Sequence, residues 1–487
     1  MSARHSNREN AMKTTIRARA AVALALAALT GGCDSGLTDL NRNPNNPDEA
    51  TPEFLFANAT EAAVSRVFGA GLNMDIAALW AQYYAEHRYS DEDRYVLADG
   101  LINTHWLNFY SGPLQDLHEA IELSTAANRP AAVAQARVLK AWTFSIVTDI
   151  WGDVGYSEAL RGRDATTGNT PALDPQAAVY DSLFAELAAA QAALTTAGQP
   201  MTAADLLYGG NTERWKRFAN SLRLRLAMRL SHVDATKART AFAAALAAGV
   251  FADNADNAVL RYLDNGVNQH PIFAYERDRN DHSVSATMID TLKSFSDPRL
   301  PVYAKPTAAG TYVGMQNGSQ AQPALTAISK IGTFFSSANS PAFLMTYAEV
   351  LFLQAEAAQR GWTSGDPAAL YRQAITASMQ QFGIVQAQID AYLAQPRVQY
   401  SAATGLQQIG LQKWIALYGN GVEAWSEWRR TGLPVLRPGP NAENGGRIPV
   451  RLPYPQSEVQ LNRANVQAAI TRQGGASLND PVWWDKN

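Results

Sequence analysis

Tyr347-Ala-Glu-Val-Leu-Phe-Leu-Gln-Ala-Glu-Ala-Ala-Gln-Arg-Gly-Trp-Thr-Ser-Gly-Asp-Pro-Ala-Ala-Leu-Tyr371 reads as one helix, a turn and the start of a second helix. Apolar residues recur at three- and four-residue spacing on both sides of Gly361–Pro367, the pattern of a helix with one buried stripe. The turn holds two glycines and a proline, which stop helices. The pair is predicted over 341–360 and 366–381. Ala355, Ala357, Gly361 and Ala369 are small where two helices would cross, and Tyr371 offers a bulky ring to the next groove.

The same signature extends in both directions. Helices are predicted over 53–69, 72–88, 103–124, 129–149, 175–196, 212–231, 236–248, 284–294, 386–394, 404–419 and 421–430. Abundant alanine favours helix and lets helices approach closely. Strand signals are sparse: 259–263 and 447–452 alone read as extended. The small-residue crossings give the pairs a tetratricopeptide-like look, but the period is irregular. The expected fold is mainly α, an irregular helical bundle on a tetratricopeptide-like helix-pair scaffold, forming one domain over 53–487. Residues 262–340 interrupt it with Gly, Asn, Asp, Ser and Pro. Long irregular segments inside a compact domain are disordered or functional. The aromatics Phe273, Tyr275, Tyr303, Tyr312, Phe334 and Phe335 favour an ordered, functional loop layer.

The amino-terminal region has a different character. Lys13, Arg17 and Arg19 precede a short apolar run, Ala20–Leu29, followed by small residues and Cys33, the only cysteine. This is the order of a secretory signal, predicted over 1–32 with Met12 as the start. The run is too short to span a bilayer as a helix. Cys33 is expected to become the lipidated amino terminus, because two or more acyl chains anchor stably. Residues 34–52, rich in Asn and Pro, read as a flexible tether. Thr51 and Pro52 then suit a helix N-cap and first turn. Residues 1–32 hold five basic residues and one acidic, so the formal net charge of −3 becomes −7 without them. A mildly acidic chain with no basic run argues against nucleic acid as partner.

Several segments, in order, resemble the SusD/RagB family of outer-membrane lipoproteins, in its SusD-like subgroup. They are Asn43-Pro-Asn-Asn-Pro47; Lys140-Ala-Trp-Thr-Phe144 with Thr148-Asp-Ile-Trp-Gly-Asp-Val-Gly-Tyr-Ser-Glu158; Trp215–Arg225; Tyr347–Ala357; Gln412–Ala416; Glu427-Trp-Arg-Arg-Thr-Gly432; and Trp483-Trp484. Thr30, where a lipidation signal usually has Leu, and Gly155, where the family would have Pro, depart from the pattern. The resemblance implies a helical fold and a lid-like position over a SusC-like TonB-dependent transporter. It implies an oligosaccharide ligand, sometimes a peptide, and no catalysis.

Sugars present flat C–H faces ringed by hydroxyls, so a binder needs exposed rings and planar polar groups. Two segments supply both. In Trp80–Tyr95, Trp80, Tyr83, Tyr84 and His87 would share a helical face. Trp80 and Tyr84 read as core, and Arg88, Tyr89 and Tyr95 as ligand contacts. On the next helix Trp106, Phe109 and Tyr110 repeat the spacing, with Trp106 the candidate platform. The loop His270–His282 offers Tyr275, Arg277, Asn280 and His282. The polar pieces around Asp149, Asp153 and Arg429-Arg430 read as structural, with Asp149 or Asp153 available to a buried arginine.

Enzyme signatures are wanting: there is no His-Glu-x-x-His, Gly-x-Ser-x-Gly or phosphate-binding loop. The histidines show no metal-ligand spacing, and Asp91/Asp93 and Asp253/Asp256 lack a full calcium loop. No metal or cofactor is expected. Glycan capture, peptide capture and a glycoside hydrolase with two facing carboxylates remain as readings; the last depends on a three-dimensional separation.

Overall fold

The computed structural model describes residues 50–162 and 169–486. Cys33, the signal segment and most of the tether lie outside them. Thr51–Asn487 form one compact unit, with a main core running from Phe56 to Trp484 and a smaller cluster around Phe352, Tyr371 and Tyr392.

The helices used below are α1 (Pro52–Phe68), α2 (Asp99–Phe109), α3 (Gln115–Ala126), α4 (Pro130–Trp151), α5 (Gln176–Ala193), α6 (Thr212–Arg229), α7 (Ala235–Ala247), α8 (Pro271–Asp278), α9 (Ala286–Ser294), α10 (Tyr347–Gln359), α11 (Pro367–Gln381), α12 (Gln386–Leu393), α13 (Gly405–Ala416), α14 (Gly421–Thr431) and α15 (Arg463–Gln473). Strands are β1 (Tyr84–Glu86), β2 (Ala258–Arg261), β3 (His282–Val284) and β4 (Pro341–Met345). They form two small antiparallel ribbons, β1 with β3 and β2 with β4.

Local chemistry sets the helix starts. The Thr51 hydroxyl accepts from the Phe54 N–H at 3.2 Å, with Pro52 in the first turn. Asp366 and Pro367 begin α11 in the same way. Successive helices then pack on one another: α3 on α4, α4 on α5, α5 on α6 and α6 on α7, with α10 on α11. This is the layered helix-pair scaffold expected from the sequence.

Where the bundle closes, its interior is ionic. Arg225 and Arg229 of α6 reach Glu349 of α10 at 2.6 Å and Glu427 of α14 at 2.6 Å. Arg229 also meets Asp149 of α4 and Glu423 of α14. Arg430 of α14 grips both oxygens of Glu356 on α10 and both of Glu427. Lys413 of α13 completes the ladder on Glu427 at 2.7 Å. Every one of these side chains is buried. Asp149 thus has its buried arginine; Asp153 pairs instead with Arg472, at 2.6 Å. Arg429 donates to the Asp149 and Val450 carbonyls and lies on the Trp425 ring.

Four expectations are corrected. Residues 341–345 are strand β4, and the helix starts only at Tyr347, where the Thr346 hydroxyl caps Glu349 N–H. The apolar run continues across the junction, so spacing alone merges the two. Residues 72–88 are not one helix. A π-helical segment, Ala70–Ala77, and the short turn Ala78–Trp80 end at Gln82, whose φ is +56°, and β1 follows. All these residues up to His87 except Asp75 and the segment's first two are buried, which erases the polar face that would tell helix from strand. Helix 103–124 is broken at Tyr110–Leu114 by Gly112-Pro113. Residues 447–452 stay outside any strand, held by single bonds from Val450 N–H to Leu478 and from Leu452 N–H to Ile150.

The layer 262–340 has more order than its composition suggests. It carries α8, β3 and α9 and two short helices, Leu300–Tyr303 and Thr333–Ser336. Asp93 fastens it to the bundle: its carboxylate accepts from Asn317, Gly318 and Glu86. Asp256 is likewise occupied by Arg217 and the Ala252 N–H. Asp93 and Asp256, one from each of the two aspartate pairs, are therefore engaged by the protein itself.

Candidate functional site

The hairpin formed by β1 and β3 positions the first group of side chains. Glu86 and His282 face each other across the ribbon. Immediately after β1 the chain emerges: His87 is buried, Arg88 and Tyr89 are exposed. Tyr89 is 71% exposed and sits at φ +51°, in the left-handed region. A β-carbon there costs on the order of 1 kcal/mol, so the ring is presented outward against a local backbone preference.

From the other side, α8 and the turn after it bring Tyr275 and Arg279 to the same place. The Arg279 guanidinium lies 5.2 Å from the Tyr89 ring centre and 5.7 Å from that of Tyr275. Its Nε donates to the buried Asp281 at 2.8 Å, which fixes its plane. The result is a ring–guanidinium–ring array open to solvent, with Tyr275 half-buried and backed by His282 at 5.5 Å. Rings for sugar faces and a planar donor for hydroxyls are the groups that glycan capture requires.

The other sequence-predicted residues scatter. Arg277 is exposed, pairs with its neighbour Asp278 at 2.8 Å and lies 5.9 Å from the Phe273 ring. Asn280 is half-buried in the turn at φ +55°. Two expectations are corrected by burial. Tyr95 packs edge-on against Trp80 and is 4% exposed, so it offers no face to a ligand. His282 is wholly buried beneath Tyr275. Trp80 and Tyr84 are core, as read. Arg279 was not singled out in the sequence; as one of several charged residues in the His270–His282 stretch, it is distinguished only by the rings that converge on it.

Trp106 belongs to a separate cleft of about 380 Å³. Its ring is largely buried against Trp151, Tyr110 and Tyr454, and its Nε1–H donates to Glu458 at 3.2 Å. One edge reaches the cleft, beside Leu107, Tyr110, Glu158, Leu461 and Asn462. Leu107 and Leu461 are exposed there, so this cleft has apolar walls and a few polar groups, and none of the Tyr89 array.

A third cavity, about 300 Å³, lies against α10, α13 and α14, with Glu356, Lys413, Glu427 and Arg430 in its wall. It contains two neighbouring carboxylates, the feature a hydrolase would need. Burial pushes Glu356 up, but Arg430 and Arg360 outweigh it and hold the carboxyl at about 2. Glu427 is likewise opposed by burial yet held well below its ordinary value by Arg430, Lys413 and Arg229. A glycosidase acid must keep its proton near neutral pH. This pair is ionised, and its charges are spent on the bundle.

Comparison with known proteins places these features in context. The family model described as "Starch-binding associating with outer membrane", SusD-like, matches residues 44–455. Among solved structures, a chitin-binding protein is 31% identical, with a TM-score of 0.80, covering 90% of this chain and 100% of that one. A chitin-binding SusD homologue from Flavobacterium johnsoniae is 28% identical, with a TM-score of 0.78, covering 89% and 99%. A SusD homologue from Bacteroides uniformis is 26% identical, with a TM-score of 0.79, covering 89% and 100%. No curated protein matches the sequence.

Proposed function

The chain belongs to the SusD/RagB family, and from that premise we propose that it captures oligosaccharides at the cell surface and passes them to a SusC-like TonB-dependent transporter. Outer-membrane association and glycan binding are properties of the family. For this chain, Cys33 would supply the lipid anchor and residues 34–52 the tether that lets the helical body act as a lid. No helix among the described residues is long and apolar enough to cross a membrane. The observation that carries glycan capture is the Tyr89–Arg279–Tyr275 array. Two rings stack on pyranose faces, Arg279 donates to hydroxyls between them, and Arg88 and Asn280 border the same surface. The Trp106 cleft is a second place where a longer chain could be held. Catalysis has no part in this reading.

Two solved relatives are described as chitin-binding, so chito-oligosaccharides are the first probes. The chain from Asp34 onward contains the whole compact unit. It is titrated by calorimetry with chito- and malto-oligosaccharides and with a peptide pool. Saturable binding of one glycan class without turnover, weakened at least tenfold by Tyr89→Ala, supports the proposal. Binding of peptides alone would replace it with peptide capture in the same architecture. Turnover of any glycan would overturn the non-enzymatic reading.

A further inference from the structure

Beneath the exposed array lies a second constellation with different chemistry. Asp75 comes from the π-helical segment, Glu86 from β1 and His282 from β3, and one ligand atom from each lies within 4.8 Å of the others. His282 Nε2 is 3.2 Å from Asp75 Oδ1 and 3.7 Å from Glu86 Oε1. Neither ring nitrogen of this fully buried histidine has a hydrogen-bond partner in the protein, and neither does Asp75 Oδ1. The 3.2 Å approach lacks the alignment of an N–H···O bond. A buried imidazole with both nitrogens unpaired is costly unless something else satisfies it.

We propose that Asp75, Glu86 and His282 bind one divalent transition-metal ion of the zinc class. Zinc bonds of about 2.0–2.2 Å to nitrogen and oxygen place tetrahedral ligands roughly 3.3 Å apart, close to the two separations observed. The outer groups fit as well. Glu276 Oε1, itself buried and unpaired, lies 3.9 Å from His282 Nδ1. It is placed to face an Nδ1–H and so leave Nε2 for the metal, the carboxylate–histidine–metal arrangement of many such sites. The second oxygen of Glu86 accepts from the Asp93 N–H at 3.1 Å, which turns Oε1 toward the histidine.

Charge points the same way. Lys330 sits 3.8 Å from Glu276 and also donates to the His282 carbonyl, so it offsets Glu276. Asp75 and Glu86 remain as two carboxyl groups beside one imidazole, a donor set that suits a divalent cation. An imidazole nitrogen in the set favours zinc over calcium or magnesium, which prefer all-oxygen sites. The ion would join the π-helical segment to both strands of the ribbon, directly below the turn that carries Tyr89. This inference does not depend on the ligand captured above it.

The test uses untagged chain from Asp34 onward, stripped with chelator and then dialysed with zinc, calcium or magnesium. Expected are one retained zinc per chain, a higher melting temperature with zinc than with chelator, and no comparable effect of calcium or magnesium. Asp75→Asn, at a partly exposed position, is expected to fold and to lose zinc affinity at least tenfold. His282→Gln and Glu86→Gln are expected to do the same, and the chelator-treated melting temperature of each identifies any variant that fails to fold. Absence of stoichiometric zinc in the wild-type chain overturns the proposal. So does zinc retention that Asp75→Asn leaves unchanged, or retention of calcium in preference to zinc.

Discussion

At the scale of single residues, Tyr89 is the most informative position. A large ring is 71% exposed on a backbone at φ +51°, an arrangement that folding alone does not favour. Strain of this kind gathers at functional sites. Tyr89→Gly should therefore leave unfolding free energy within about 1 kcal/mol of wild type, since relief of the left-handed strain offsets the lost cation–π contact. The same change should weaken glycan binding at least tenfold. Urea unfolding and calorimetry on one variant read both effects; a large stability loss with intact binding would assign Tyr89 a packing role instead. Arg279 is the companion case. Lys keeps the charge but not the plane that lies between two rings. Arg279→Lys is expected to weaken glycan binding several-fold without a change in melting temperature.

At the scale of elements, the helices are locked by buried charge and by close approach. Arg430 serves Glu356 and Glu427 on two helices at once. Its removal leaves both carboxylates buried with fewer partners, a loss of about 3–5 kcal/mol. Arg430→Ala should lower the urea midpoint accordingly, whereas removal of the exposed Lys216–Glu213 pair should cost under about 1 kcal/mol. Gly421 tests the contact at the start of α14. A β-carbon there would stand 2.5 Å from the Ala78 nitrogen, and the Gly421 N–H already donates to Asn73. Gly421→Ala is expected to cost about 1–3 kcal/mol through overpacking, although alanine is the better helix former. A stabilised variant would show that α14 can move away from the π-helical segment.

At the scale of the whole molecule, stability should fall with acid in two stages. Burial holds His270 at about 3 and His105 at about 4, against an ordinary 6.5. The unfolded chain therefore takes up protons first. Stability is fully present above pH 6.5 and declines below it by about 1.4 kcal/mol per pH unit for each histidine. Glu356, held at about 2 against an ordinary 4.5, keeps its contribution above pH 4.5 and loses it as pH falls toward 2. Urea midpoints from pH 8 to 4 should be level above 6.5 and slope downward below it. His270→Asn, which can still cap the Ile272 N–H that His270 caps now, should make that slope shallower. A profile that is level down to pH 5 would mean these histidines charge inside the fold.

The sequence by itself determined the helical class, the α10–α11 pair, the helix starts at Thr51 and Asp366, and the structural use of Asp149 and Arg430. These are local signals: three- and four-residue spacing, capping side chains, and a charge in an apolar run that must find a partner. It also singled out Arg88, Tyr89 and Tyr275 as ligand candidates, although Tyr275 lies on helix α8 and not in the loop expected for 270–282. Only the tertiary structure decided that Tyr89, Arg279 and Tyr275 form one array, that Tyr95 and His282 lie inside, and that Asp75, Glu86 and His282 meet. Those outcomes rest on the pairing of β1 with β3, two three-residue strands separated by nearly two hundred positions. Such short segments carry too few residues to show a period, and no local spacing records which of them will pair. Burial on every side removes the last clue, because a segment without a polar face looks alike as helix or strand.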